Sequence, residues 1–245
     1  MCISIGEVRV TRNLPCLVAT VGFADCVEAA RRAQRDGADV IELRIDLFPD
    51  PETAAGRQTM LERVKEIKKA CSAPLLATVR GRQEGGKYPG DESSRAELYL
   101  ALLPYAQAVD VEIKAGAVRQ AVLPAANRMG APIILSNHDF EQCPADAAIE
   151  ALIEEGFRLG AAMVKIAVTP KTQADVVRLL ALTERNGGRC ITIIGMGEVG
   201  RVSRLLFPHF GSRFTYCSAT ENSVAPGQMG VAEVRAVLDL LTTHP

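Results

Sequence analysis

The residue with the most chemical consequence in this chain is a lysine in an apolar setting. Lys165 stands in the middle of the run from Ala161 to Pro170, which has strand length and is otherwise almost free of charge. Burying an ammonium strips its hydration, so such a group tends to become neutral. A neutral lysine amine is a nucleophile toward ketones; at the ordinary pKa of about 10.4 only a few amines in ten thousand are neutral at pH 7. The bland alternative is a lysine that reaches solvent or pairs with a carboxylate. A second candidate is His138, in Asn137-His138-Asp139, because imidazole titrates near neutral pH and can both take and return a proton. A lone histidine at a strand end can equally be structural. His209 follows Pro208 in an expected loop and His244 lies in the tail, so both read as surface residues.

The elements that must position these groups follow from hydrophobic periodicity. Residues 3 to 11 alternate around Gly6, as a short hairpin does. From Pro15 onward, Val- and Ile-rich runs alternate with amphipathic segments. Strands are expected at 16–21, 38–46, 74–79, 108–113, 131–136, 161–168, 190–195 and 213–218. Helices are expected at 25–35, 52–69, 93–103, 116–129, 146–159, 172–185 and 229–241, with a short one at 200–206. Eight such units predict a single (β/α)8 TIM barrel domain over 1–245 with an N-terminal β-hairpin; a doubly wound open sheet is the alternative.

A barrel enzyme carries its chemistry at the C-terminal ends of its strands. Polar residues recur there. Glu42, Arg44 and Asp46 alternate on the second run and are expected to share one face. Arg80 ends the third, followed by Glu84, Gly85 and Gly86; Asp110 and Glu112 alternate on the fourth. Asn137, His138 and Asp139 end the fifth, Lys165 interrupts the sixth, and Met196-Gly197 ends the seventh ahead of Ser203 and Arg204.

Composition narrows the class. Of the 245 residues 48% are hydrophobic and 23% charged, which suits a soluble globular core, and the net charge of -1 leaves no footprint for nucleic acid or an anionic membrane. The expected partner is a small molecule. Seven cysteines without a CxxC pair read as reduced thiols of a cytoplasmic protein. The N-terminus lacks the pattern of a signal peptide, and no apolar run reaches about 18 residues.

Taken together and in order, several stretches resemble type I 3-dehydroquinate dehydratase, the Schiff-base-forming dehydratase of the shikimate pathway. They are Glu42-Leu43-Arg44-Ile45-Asp46, Thr78 to Gly86, Ser136 to Phe140, Val164-Lys165-Ile166, Met196-Gly197 leading to Ser203-Arg204, Phe210-Gly211-Ser212, and Ala225-Pro226-Gly227-Gln228. The resemblance implies a barrel with a hairpin across its base, a homodimer, and neither a metal nor an organic cofactor. It also implies a reaction, syn elimination of water from 3-dehydroquinate to give 3-dehydroshikimate.

That reaction assigns roles. Lys165 condenses with the substrate ketone, and the iminium accepts the electrons left when the C2 proton departs; cationic neighbours and the apolar strand are expected to lower its pKa. His138 takes the C2 proton and protonates the leaving hydroxyl. Glu84 resembles the family carboxylate that orients the histidine. Arg204 is the choice for the substrate carboxylate, with Arg44 and Arg80 lining the pocket and Glu42 and Gln228 receiving hydroxyls. Any of these arginines could also serve in a salt bridge, Arg44 with Glu42 or Asp46 for example. The stretch from Phe210 to Gln228 has the composition of a lid. Here the chain departs from the family's Ser-Ala-Pro-Gly-Gln: Val224 stands where serine is expected, and Ser223 replaces it only if the loop carries an insertion. Thr169 stands where methionine is common.

Two other readings share Lys165. A Schiff-base aldolase needs neither His138 nor Glu84 in these motifs, and a phosphorylated substrate calls for a glycine-rich turn late in the barrel, for which Gly195-Met196-Gly197 is the nearest match. A sensor that binds the metabolite without turnover has no use for a buried amine.

Overall fold

The computed structural model describes residues 3–12, 15–220 and 227–241. Strands β1 (Ile3–Ile5) and β2 (Val8–Val10) form an antiparallel hairpin ahead of the repeating part. Eight parallel strands follow, β3 (Cys16–Val21), β4 (Val40–Arg44), β5 (Leu75–Thr78), β6 (Ala108–Glu112), β7 (Ile133–Asp139), β8 (Met163–Val168), β9 (Ile191–Gly195) and β10 (Phe214–Ser218). Between them run α1 (Cys26–Arg35), α2 (Ala54–Ala70), α3 (Glu92–Leu102), α4 (Gly116–Arg128), α5 (Asp146–Arg158) and α6 (Gln173–Arg185). The single turns α7 (Gly197–Gly200) and α8 (Ser203–Leu206) precede β10, and α9 (Val231–Leu241) follows it.

From β3 to β9 each strand pairs with the next, and β10 pairs with β3, which gives the (β/α)8 TIM barrel expected from the sequence. The seam lies between β9 and β10. It is bridged by Arg213 N–H donating to the Ile191 carbonyl at 2.8 Å and by Phe214 N–H donating to Thr192 Oγ1 at 3.0 Å. Hydroxyl groups thus stand in for part of a strand ladder.

Local chemistry explains the helix starts. Thr53 and Asp91 accept backbone N–H bonds from Gly56 and Ser94, and Thr172 with Asp175 forms a reciprocal capping box. Two expectations need correction. The second strand stops at Arg44 instead of running to 46, because Arg44 (φ -84, ψ 84) leaves extended geometry and Ile45–Leu47 turn into a 3-10 helix. The short helix expected at 200–206 is instead two separate turns.

The period of two along each strand divides the core. Outward residues such as Val164, Ile166 and Val168 pack against the helices in one large apolar cluster. Inward residues form a second, smaller cluster that includes Val18, Val40, Leu76, Ala108, Ile134, Met163 and Phe214, and the hairpin closes it with Ile5 and Val10. The hairpin therefore plugs the N-terminal end, leaving the C-terminal end for chemistry. Among the described residues no helix is long and apolar enough to cross a membrane.

Candidate active site

One step up each strand from the apolar layer, the inward side chains become polar: Thr20, Glu42, Thr78, Asp110, Ser136 and Lys165, all buried. Lys165 is 4% exposed and donates from Nζ to Asp110 Oδ2 at 2.9 Å, with Glu42 Oε1 at 3.9 Å. Its Nζ also lies 4.0 Å from the centroid of the Tyr216 ring. The carboxylate pairing given as the alternative for this lysine is thus present, beside its apolar neighbours.

Asp110 is the hub of this layer. Its Oδ1 accepts from Arg80 Nη2 at 2.8 Å and from Ser136 Oγ at 2.6 Å, and Ser136 in turn accepts from Arg80 Nη1 at 2.8 Å. Burial alone disfavours its anion, but Arg80 and Lys165 outweigh that and hold the carboxyl well below the usual range. Arg80 also meets Glu112 at 3.2 Å, so its guanidinium is already engaged while it lines the pocket. Glu42 accepts from Thr20 Oγ1 at 3.0 Å and Thr78 Oγ1 at 2.9 Å, and Gln228 Nε2 donates to the same Thr20 hydroxyl at 3.3 Å.

Above this layer, His138 and Glu84 meet. Glu84 Oε2 lies 2.9 Å from His138 Nδ1 and accepts the His138 backbone N–H at 2.9 Å, while Oε1 accepts from Asn137 Nδ2 at 3.3 Å. An ionised Glu84 fixes the tautomer with hydrogen on Nδ1 and leaves Nε2 as the basic nitrogen. Burial pushes the Glu84 carboxyl up to about 7, against the pull of Arg80. Burial, together with Arg80 and Lys165, drives the His138 imidazolium well below the usual histidine range, so the ring is a neutral base at neutral pH.

The backbone that presents Glu84 depends on two glycines. Gly85 has φ +77, and a Cβ there would sit 2.5 Å from the Phe140 ring; one on Gly86 would sit 1.9 Å from the Arg80 carbonyl. Phe140 in turn stacks near His138, with ring centroids 6.3 Å apart and planes 17° from parallel.

Arg204 projects from α8 and is buried. Its Nε donates to the Gly227 carbonyl at 3.1 Å and its Nη1 to the Tyr216 carbonyl at 3.3 Å, which ties the last turn of the described loop to the pocket. Burial lowers its guanidinium to about 10. Arg44 forms a forked pair with Asp46, both contacts 2.8 Å, and Asp46 also accepts the Arg80 and Lys87 backbone N–H groups. Asp46 therefore does not share the inward strand face with Glu42; from its 3-10 turn it supports Arg44 and the loop after β5.

One pocket collects Glu42, Arg44, Arg80, Glu84, His138, Lys165, Arg204 and Gln228, with Ala167, Ile194 and Met196 as its apolar wall. Of the expected site residues only Ser223 is missing, because it lies outside the described residues, as does His244. His209 is exposed on a 3-10 turn. Sequence reasoning gave no role to Asp110, Tyr216 or Phe140. For Asp110 and Tyr216 a signal existed, since each sits at an inward position of its strand. A wider cleft of about 870 Å³ opens over the loops after β3 and β4, lined by Asp25, Glu28, Arg32 and Lys87; neither Lys165 nor His138 faces it.

The chain is similar to proteins of known activity. The model of the family described as Type I 3-dehydroquinase matches residues 18–245. The chain is 37% identical over 248 aligned positions to 3-dehydroquinate dehydratase of Methanosarcina barkeri, covering 98% of this chain and 99% of that one. Among solved structures, 3-dehydroquinate dehydratase from Geobacillus kaustophilus superposes with a TM-score of 0.92 at 27% identity, covering 100% of this chain and 97% of the other. The type I enzyme from Clostridium difficile, solved with covalently modified comenic acid, gives 0.90 at 28% identity over 99% and 98% of the two chains.

Proposed function

The chain belongs to the type I 3-dehydroquinase family, and on that premise we propose that Lys165, His138 and Glu84 are its catalytic residues. The reaction is dehydration of 3-dehydroquinate to 3-dehydroshikimate in the shikimate pathway, and a Schiff base is the route typical of type I enzymes. The observation that carries the assignment is the placement of a buried lysine amine, on β8, beside a strand whose histidine is held by a glutamate.

In this reading the neutral Lys165 amine attacks the substrate ketone, the carbinolamine hydroxyl takes up a solvent proton and leaves as water, and a protonated imine forms, that proton being given back when the iminium is hydrolysed at the end. His138 Nε2 takes the C2 proton, and the C–H electron pair moves into the imine to give a neutral enamine. The enamine pushes out the neighbouring hydroxyl, which leaves as water with the proton that His138 carried. Hydrolysis of the remaining iminium releases product and restores the amine. Glu84 keeps the imidazole oriented and accommodates its charge while it holds the proton. Arg204 receives the substrate carboxylate, Glu42 and Gln228 receive hydroxyls, Arg44 lines the pocket, and Arg80 both lines it and holds Asp110 in place.

One histidine serving both proton transfers favours removal of proton and hydroxyl from the same face. Substrate deuterated separately at each C2 position tests this: loss of the deuterium syn to the hydroxyl supports it, and loss of the other contradicts it. The same reading takes the chain as one catalytic domain that assembles as a homodimer in the cytoplasm; sedimentation of the purified chain tests the dimer.

A further inference from the structure

The seat of the Lys165 amine has a member that the reaction scheme does not use. Tyr216 occupies an inward position of β10 and lines the pocket, 3% exposed, and the Lys165 Nζ stands 4.0 Å from the centroid of its ring. A cation at that distance from an aromatic face is attracted by the ring quadrupole, and more strongly when both are desolvated. The phenol hydroxyl is buried and has no hydrogen-bond partner among the described residues, so the ring, and not the hydroxyl, makes this contact. Opposite the ring, Asp110 Oδ2 accepts from the same nitrogen at 2.9 Å.

The surroundings give this seat a task. The groups facing the nitrogen or its pocket are Glu42 and Arg44 on β4, Arg80 at the end of β5, Glu84 on the 3-10 turn after it, Asp110 on β6, His138 on β7, Arg204 on α8 and Tyr216 on β10. Three of them are arginines. Desolvation and the arginines favour a neutral imine over an iminium, while Asp110 and Glu42, the carboxylates nearest the nitrogen, act against them. A neutral imine is a poor electron sink, because proton abstraction at C2 then leaves a carbanion instead of a neutral enamine.

We propose that Tyr216 is a positioning residue that keeps the Lys165 Schiff base protonated, its ring face and the Asp110 carboxylate together forming the seat of the iminium. The inference rests on the reading of Lys165 as the Schiff-base lysine. The charge appears twice in the cycle, before and after the hydroxyl leaves, and the ring serves both iminium species.

The test labels the lysine side chains with 15N at Nζ, equilibrates the protein with 3-dehydroquinate, and follows the imine nitrogen by NMR as pH is raised. Position 216 is varied through Tyr216→Phe, Tyr216→Leu and replacement by fluorinated phenylalanines, which drain the ring quadrupole at nearly constant volume and so avoid a packing defect. Tyr216→Phe, which keeps the ring face, is expected to keep the wild-type imine midpoint. Tyr216→Leu and the most fluorinated ring are expected to let the imine lose its proton at lower pH, by about 0.4–1.5 pH units, the equivalent of a 2- to 30-fold change in the protonation equilibrium. The high-pH limb of kcat, which reports the enzyme–substrate complex, is expected to move with them. An imine midpoint that stays constant across the fluorinated series overturns the proposal, and so does a Tyr216→Phe variant that shifts as far as Tyr216→Leu. Absence of any imine nitrogen in the wild-type protein would instead sink the Schiff-base reading itself.

Discussion

Along β8 the inward positions run Met163, Lys165, Ala167, and along β6 they run Ala108, Asp110, Glu112. The first position of each belongs to the apolar layer sealed by the hairpin, and the second to a layer of buried charge. Both layers are held by the same strands, share the same period and are buried. They differ in what removal of one side chain does. In the lower layer each residue contributes through area and shape, and a deletion leaves a cavity. In the upper layer each charge is tolerated because another answers it, so a deletion leaves an uncompensated ion or an idle reactant. Stability and chemistry thus occupy neighbouring layers of one barrel, separated by a single inward step of about 6–7 Å along the strand.

The sharpest way to press this contrast is at Lys165. Lys165→Ala is expected to lower kcat by at least about 10⁴-fold, since the covalent route is lost, while Arg80 and Ser136, which still bond Asp110, hold the fall in melting temperature to a few degrees; steady-state assay and a thermal melt on the same sample read both. His138→Ala should cost about 10²- to 10⁴-fold in kcat, the usual weight of a positioned acid–base, with a smaller change in KM. A His138→Ala enzyme with near-normal turnover would move the proton transfers elsewhere.

The lower layer should answer in the opposite way. Ile5 is fully buried in the hairpin plug, and Ile5→Ala is expected to cost about 2–5 kcal/mol in denaturant unfolding with kcat nearly unchanged. A large loss of kcat at permissive temperature would mean that the two layers are coupled more tightly than their packing indicates.

Glu84 tests the boundary through pH. Its folded carboxyl, at about 7, lies above the ordinary carboxylate range, so the folded protein binds this proton more tightly than the unfolded chain does. The sign follows: Glu84 carries no penalty at acidic pH, destabilises progressively as pH rises between about 4.3 and 7, and carries its full cost above 7. Glu84→Gln should therefore stabilise the protein at pH 8 relative to pH 5, by roughly 1–3 kcal/mol before the loss of its bonds to Asn137 and His138 is counted. Unfolding midpoints at the two pH values decide it, and an equal effect at both would show that Glu84 is not held as an uncomfortable anion.

Much of this was legible before any coordinates. The alternation of Val- and Ile-rich runs with amphipathic segments marks every barrel strand within a few residues, because a parallel sheet buried on both faces leaves little freedom in composition. The pocket was legible too, since polar residues at strand ends have few other uses in a barrel. What escaped depends on distance across the barrel. Asp110 was visible as an inward carboxylate, but its service to Lys165, two strands away, depends on barrel closure, which periodicity does not specify. Tyr216 reads as one more aromatic in an apolar run until β10 returns to face β8. Asp46 was misplaced because a strand pattern carried through Arg44, where the backbone turns.

On the proposed mechanism the Lys165 amine, in contact with Asp110 and the Tyr216 ring, forms a covalent imine with the substrate. Borohydride reduction in the presence of 3-dehydroquinate, followed by peptide mapping by mass spectrometry, tests it most directly. One stable adduct is expected, on the peptide containing Lys165, and it disappears in Lys165→Ala. No adduct on that peptide, or labelling only by phosphorylated or pyruvate-like ketones, would contradict it.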